Sequence, residues 1–154
     1  QVILPTYATG ASFNNTGAFG ANAMQFLRNG QNAGSITINT NYSTSYNTSS
    51  DYRLKENVVK LTDGIEKVKQ LKPKRFNFIL DENKQIIDGF IAHEAKEVVP
   101  ESVTGEKDAI DYNGNPEYQG MDNAKLVPVL TAALQEAIAK IEDLETRIQI
   151  LENQ

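Results

Sequence analysis

The chain has 154 residues, with 15 Lys and Arg against 20 Asp and Glu, a formal net charge of −5, one histidine and no cysteine. An acidic balance disfavours nucleic acid and anionic membrane surfaces as partners. The lack of thiols excludes disulfides and thiolate catalysis, and one imidazole leaves zinc without its usual ligand set, so no cofactor and no metal is expected.

No apolar run is long enough to span a bilayer. The opening Gln1-Val2-Ile3-Leu4-Pro5 lacks the blocks of a signal peptide and reads as the continuation of a longer chain made in a cytoplasm. Composition then changes abruptly along the sequence. Before Asp51 the only charged side chain is Arg28, and the segment is rich in Asn, Thr, Ser, Gly and Tyr. A monomeric domain keeps itself soluble with surface charge, so an uncharged segment is either disordered or paired with other chains. Strand signals favour pairing. Ala23 to Arg28 is a short strand candidate, Asn29-Gly30 a turn, and Gly34 to Tyr42 alternates small or polar residues with Ile and Tyr. These features point to the end of an oligomeric β-fibre or β-helix over residues 1–49.

From Asp51 the pattern is that of a mixed α/β domain. Leu61, Ile65, Val68 and Leu71 recur at helical spacing, with Thr62 or Asp63 as the cap and Pro73 as the stop. Arg75 to Leu80 and Gln85 to Ile91 read as two strands of a hairpin around the turn Asp81 to Lys84. Ala92 to Val99 reads as a short helix closed by Pro100. Gly105 to Gly120, with Asn113-Gly114, is a hairpin or extended loop.

The last stretch carries the clearest period. Val127, Leu134, Ile141 and Ile148 share one heptad position; Leu130, Ala137, Leu144 and Leu151 share the other. A seam kept to the end of the chain predicts self-association of this helix. Ile at one position and Leu at the other leans toward two strands.

Ser50 and Lys55 lie at the composition boundary. A serine hydroxyl needs a base, and lysine serves as one when burial lowers its pKa. Such a serine can attack the carbonyl before it, and water then splits the resulting ester. On spacing alone the pair equally reads as a turn cap beside a solvated lysine.

The motifs Ser50-Asp51-Tyr52-Arg53-Leu54-Lys55-Glu56-Asn57, Leu71-Lys72-Pro73 with Phe76, Gly89-Phe90-Ile91-Ala92-His93-Glu94 and Val98-Val99-Pro100-Glu101 resemble the peptidase S74 family. These are the C-terminal intramolecular chaperones of phage endosialidases, tail fibres and neck appendages. The resemblance runs from Ser50 to about Ile148, and Tyr46-Asn47-Thr48-Ser49 matches the usual approach to the cleavage site.

The resemblance implies a catalytic Ser50 with Lys55 as its general base, cleavage between Ser49 and Ser50, and a homotrimer. Asp51, Arg53 and Asn57 are implied to shape the turn. His93 either supports the chemistry or is a hydrogen-bonded helix-start residue. Glu94 and Glu97 are candidate supporting carboxylates against a solvated helix face.

The fold expected is α+β. A β-rich fibre end, residues 1–49, precedes an autoproteolytic chaperone domain, residues 50–125, and a trimerising coiled-coil helix, residues 126–154, in an intertwined homotrimer. The chain's own N-terminal segment is then both substrate and folding client, and loop 105–120 is a candidate grip on it. The mature fibre belongs in the virion, with a host surface glycan as a further partner, and the released domain in the host cytoplasm. The competing reading is a non-proteolytic trimerisation tip with a receptor-binding role. Transcription-factor relatives of the myelin regulatory type are disfavoured, because a basic DNA-binding segment and a membrane anchor are missing.

Overall fold

The computed structural model describes residues 22–40 and 43–153. The chain divides between Val58 and Val59 into two units.

The described residues of the first unit form a three-stranded antiparallel sheet. Strands β1 (Asn22–Arg28), β2 (Gln31–Ile38) and β3 (Thr44–Thr48) lie in that order. Asn29 and Gly30 join β1 to β2 with φ of 52° and 77°. Both are left-handed, the turn geometry that matches strand twist and that Asn-Gly tolerates best. The expected strand from Gly34 is therefore part of β2, which begins earlier and ends at Ile38. Its expected end, Asn41-Tyr42, lies outside the described residues, as do Gln1 to Pro5 at the start.

Strand pairing sorts the sheet into two faces. Ser35 opposes Asn47 and Thr37 opposes Ser45. Asn47 Nδ2 donates to Thr37 Oγ1 at 3.2 Å, and Asn39 Nδ2 donates to Ser45 Oγ at 2.7 Å. This face is a hydrogen-bonded amide and hydroxyl ladder, which explains how the segment manages without charge. On the other face Met24, Ile36 and Tyr46 line up across the strands. Tyr46 there is 80% exposed while Met24 and Ile36 are half-buried, so among the described residues this face is only partly covered.

The second unit comprises α1 (Gly64–Gln70), β4 (Lys74–Phe76), β5 (Ile87–Gly89), α2 (Ala92–Lys96), β6 (Val103–Thr104), β7 (Gly120–Met121) and α3 (Val127–Glu152). The pairs β4–β5 and β6–β7 are antiparallel.

Several elements are shorter than the sequence pattern predicts. The hairpin strands expected over 75–80 and 85–91 reduce to three residues each. Asp81 is the reason: its carboxylate accepts from the N–H groups of Asn83 at 3.1 Å and Gln85 at 2.7 Å. A local carboxylate thus takes backbone donors that a ladder would need. Helix α2 stops at Lys96 rather than Val99, because Val98 N–H turns back to the Ala95 carbonyl and tightens the last turn. Residues 105–120 form a hairpin-like loop on β6–β7, bridged at Ile110 and Pro116. Asp111 closes its tip, accepting from the N–H groups of Asn113 and Asn115 at 2.8 Å each.

The start of α1 is capped differently from expectation. Asp63 stands at the cap position but makes no cap hydrogen bond there; its carboxylate pairs with Lys67 at 3.1 Å. The helix is capped instead by Glu136 of α3, which accepts from Gly64 N–H at 2.8 Å and Ile65 N–H at 3.1 Å.

The core of this unit is small, built from Leu71, Val99, Leu126 and Val129 with Leu61, Val68, Phe90, Val98 and Met121 packed around them. Helix α3 enters the core through Val129 and Ala132, which are not heptad-seam positions. Of the eight seam residues, seven are large and each is at least half exposed; Ala137 is half-buried. At 3.6 residues per turn the seam lies roughly a third of a turn from the buried face. The 26-residue helix thus has two apolar faces, one in its own domain and one uncovered.

Candidate active site

Ser50 and Lys55 meet in the first unit. Lys55 Nζ donates to Ser50 Oγ at 2.8 Å. What closes a five-residue separation is a single 3₁₀ turn over Tyr52–Leu54, with Leu54 N–H on the Asp51 carbonyl and Lys55 N–H on the Tyr52 carbonyl. Three residues per turn bring Lys55 round toward the serine that opens the motif.

Asp51 sets that turn. Its carboxylate accepts from Arg53 N–H at 2.9 Å, from Arg53 Nε at 2.9 Å and from Arg53 Nη2 at 2.7 Å. One side chain therefore caps the turn and grips the guanidinium with both oxygens. The Arg53 side chain, and then its backbone N–H, hold the Asp51 carboxyl below its ordinary value. Asp51 in turn raises Arg53. Asn57 follows with φ of 53°, a left-handed conformation that asparagine tolerates better than most residues, and so redirects the chain after the site.

The acyl side of the Ser49–Ser50 bond is held by the sheet. Ser49 N–H donates to the Ala33 carbonyl at 3.1 Å, and Ser49 Oγ donates to the Asn32 carbonyl at 2.6 Å. Ser49 also lines a cavity of about 340 Å³ with Arg28, Asn32 and Leu54. Nothing in the sequence marked Asn32 and Ala33, because a pairing across 17 residues leaves no local signature.

His93, Glu94 and Glu97 lie in the second unit. His93 is half-buried on α2 and lines a cavity of about 260 Å³ with Glu106, Lys107, Tyr118 and Gln119. Glu94 is half-buried; its Oε2 has no hydrogen-bond partner and faces Lys74 Nζ at 3.7 Å, a separation suited to an ion pair. Glu97 is exposed. Among the described residues no cluster of His, Cys, Asp and Glu is placed to hold a metal ion, and no helix is long and apolar enough to cross a membrane.

The hydroxyl, amine and adjoining peptide are the components of an intramolecular acyl transfer. Comparison with known proteins bears on the same segment. A family model described as the chaperone of endosialidase, Peptidase_S74, matches residues 50–104. No curated protein matches the chain.

Proposed function

We propose, from the match of residues 50–104 to the Peptidase_S74 family, the chaperones of endosialidase, that the chain is an intramolecular chaperone which trimerises a phage fibre or tailspike and then cuts itself free between Ser49 and Ser50. The observation that carries the proposal is the 2.8 Å contact between Lys55 Nζ and Ser50 Oγ, inside the matched segment and beside the bond to be cut.

The reaction requires the neutral amine of Lys55, which is exposed in the single chain. Lys55 takes the Ser50 hydroxyl proton as Oγ attacks the Ser49 carbonyl carbon. The tetrahedral intermediate collapses as the C–N bond breaks, and the Ser50 nitrogen takes the proton back from Lys55. The product is an ester of Ser49 on Ser50 Oγ, with a free α-amine. Water then adds to the ester carbonyl and the C–O bond breaks, leaving a Ser49 carboxylate and a restored Ser50 hydroxyl. No cofactor enters, and each chain turns over once.

Two apolar surfaces support assembly. The exposed α3 seam, from Val127 to Leu151, has the spacing of a coiled coil, and the Met24–Ile36–Tyr46 face of the sheet is only partly covered among the described residues. Three copies rather than two follows from the family resemblance, since the Ile and Leu pattern alone leans toward two. The uncharged segment before Ser50 is the folding client, the mature fibre resides in the virion, and the released chaperone remains in the host cytoplasm. Recognition of a host glycan belongs to the fibre part.

Intact mass spectrometry of the wild type beside Ser50→Ala and Lys55→Ala tests the proposal. Two fragments starting at Gln1 and Ser50 in the wild type, with both variants whole, would support it. A wild-type chain that stays whole under every folding condition leaves a non-proteolytic trimerisation tip.

A further inference from the structure

The chemistry above assigns roles on the amine side of the bond, where Ser50 and Lys55 sit. An acyl shift from nitrogen to oxygen also requires the carbonyl carbon to be held still while Oγ approaches it. Orientation of this kind carries a large share of the barrier in intramolecular reactions. In this chain the carbonyl belongs to Ser49, which makes two bonds to neighbouring carbonyls of one strand: N–H to Ala33 at 3.1 Å and Oγ to Asn32 at 2.6 Å.

The partner strand is itself fixed at that point. Asn32 Oδ1 accepts from Gly34 N–H at 3.0 Å, which holds the Asn32 backbone in place. Gly34 is buried, and a Cβ there would stand 2.6 Å from the Asn47 carbonyl oxygen, so β3 approaches β2 closely two residues before Ser49. A backbone N–H bond alone leaves the peptide free to rock about the strand axis. The added hydroxyl bond supplies a second point of attachment and removes that freedom.

We propose that Ser49 is a positioning residue for self-cleavage, and that its hydroxyl, seated on the Asn32 carbonyl, orients the scissile carbonyl toward Ser50 Oγ. This rests on the Ser50–Lys55 reading and adds a requirement to it. Both bonds from Ser49 end on β2, so on this proposal the carbonyl is held for attack only while the chain at Ser49 stays docked on β2, and the cut is tied to formation of the sheet that precedes it.

The test is the rate of cleavage of the full chain on refolding, followed by intact mass, for wild type, Ser49→Ala and Ser49→Thr. The same Ser49 substitutions are placed in the uncleavable Ser50→Ala background, where thermal unfolding and circular dichroism report the fold. Ser49→Ala is expected to slow cleavage by roughly tenfold or more, with unfolding unchanged in the uncleavable background. Ser49→Thr, which restores a hydroxyl, is expected to recover most of the rate.

A wild type that cleaves, with Ser49→Ala cleaving equally fast, overturns the positioning role and leaves the Ser50–Lys55 reading standing. Threonine as slow as alanine also overturns it, as does a Ser49→Ala chain whose sheet has melted. A wild type that never cleaves removes both readings together.

Discussion

Glu136, in the third turn of α3, caps the helix that begins at Gly64, 72 residues earlier in the chain, with a hydrogen bond of 2.8 Å. Its second oxygen takes the N–H of Ile65. One carboxylate thereby satisfies two of the donors that a helix start leaves open and places a negative charge at the positive end of the helix. The backbones are close enough that a Cβ on Gly64 would overlap Ala133 N and stand 2.6 Å from the Ala132 carbonyl carbon. Neither neighbour is a flexible side-chain tip, so the collision cannot be relieved by a rotamer change.

Two substitutions separate capping from approach. Glu136→Ala is expected to lower the stability of the second unit by about 1–2 kcal/mol, the range for loss of a helix cap. Gly64→Ala adds only one methyl group but forces α1 off α3, and is expected to cost more than Glu136→Ala. Urea unfolding of the uncleavable Ser50→Ala chain measures both. A Gly64→Ala chain as stable as its parent would sink the close-approach argument.

The contrast between these contacts and the parts that could be read directly is one of range. The heptad seam, the Asn29-Gly30 turn and the Ser50-to-Lys55 spacing are local patterns, carried within one helix, one turn or one motif. Strand β3 carries no hydrophobic signature, because Thr44 to Thr48 has little apolar alternation; its registration depends on Asn and Ser side chains bonding across to β2. The hairpin strands are shorter than hydrophobic periodicity predicts because Asp81 diverts backbone donors, a competition that periodicity does not register. The caps on α1 and the anchor on Ser49 join positions 72 and 17 residues apart, and no spacing rule reports such pairs.

The turn that presents Lys55 rests on Asp51. Asp51→Ala removes the cap on the 3₁₀ turn and both guanidinium bonds at once. Cleavage is expected to slow by roughly tenfold or more, as befits a displaced base. Arg53→Ala leaves the bond from its own backbone N–H in place, and so is expected to slow it less. The two rates, read by intact mass during refolding, check the order. If Arg53→Ala were the slower, the guanidinium and not the backbone cap would be the element that shapes the site.

Acid acts on the tip of loop 105–120 through Asp111. Hydrogen bonds from the Asn115 side chain and backbone, with further bonds from Asn113, hold its carboxyl below the ordinary aspartate value of 3.8. A carboxyl whose folded pKa is depressed contributes fully above that ordinary value, and its contribution is lost as pH falls through the lower, folded one. Amide exchange at Asn113 and Asn115 is therefore expected to stay protected as pH drops to about 4 and to rise only below it. Asp111→Asn, which removes the titration, should flatten that profile. A profile that changes between pH 5 and 7 would assign the transition to another group.

The two faces of α3 make opposite predictions for substitutions that look alike on a helical wheel. Ile141 and Leu144 are 54% and 51% exposed in the single chain, whereas Val129 is 3% exposed. If the seam is where copies join, Ile141→Asp with Leu144→Asp removes its apolar contribution, about 1.5–3 kcal/mol for each side chain and each copy. A charge at a coiled-coil seam adds desolvation to that loss. The expected result in the uncleavable chain is a sedimentation mass that falls to one chain, 17.0 kDa, while the core around Val99 and Leu126 remains folded. Val129→Asp is expected to unfold the second unit, because the charge would sit inside the small apolar core among Leu71, Val99 and Leu126. A double seam variant that keeps the mass of the wild type would move the interface to another surface, with the apolar face of the sheet as the next to substitute.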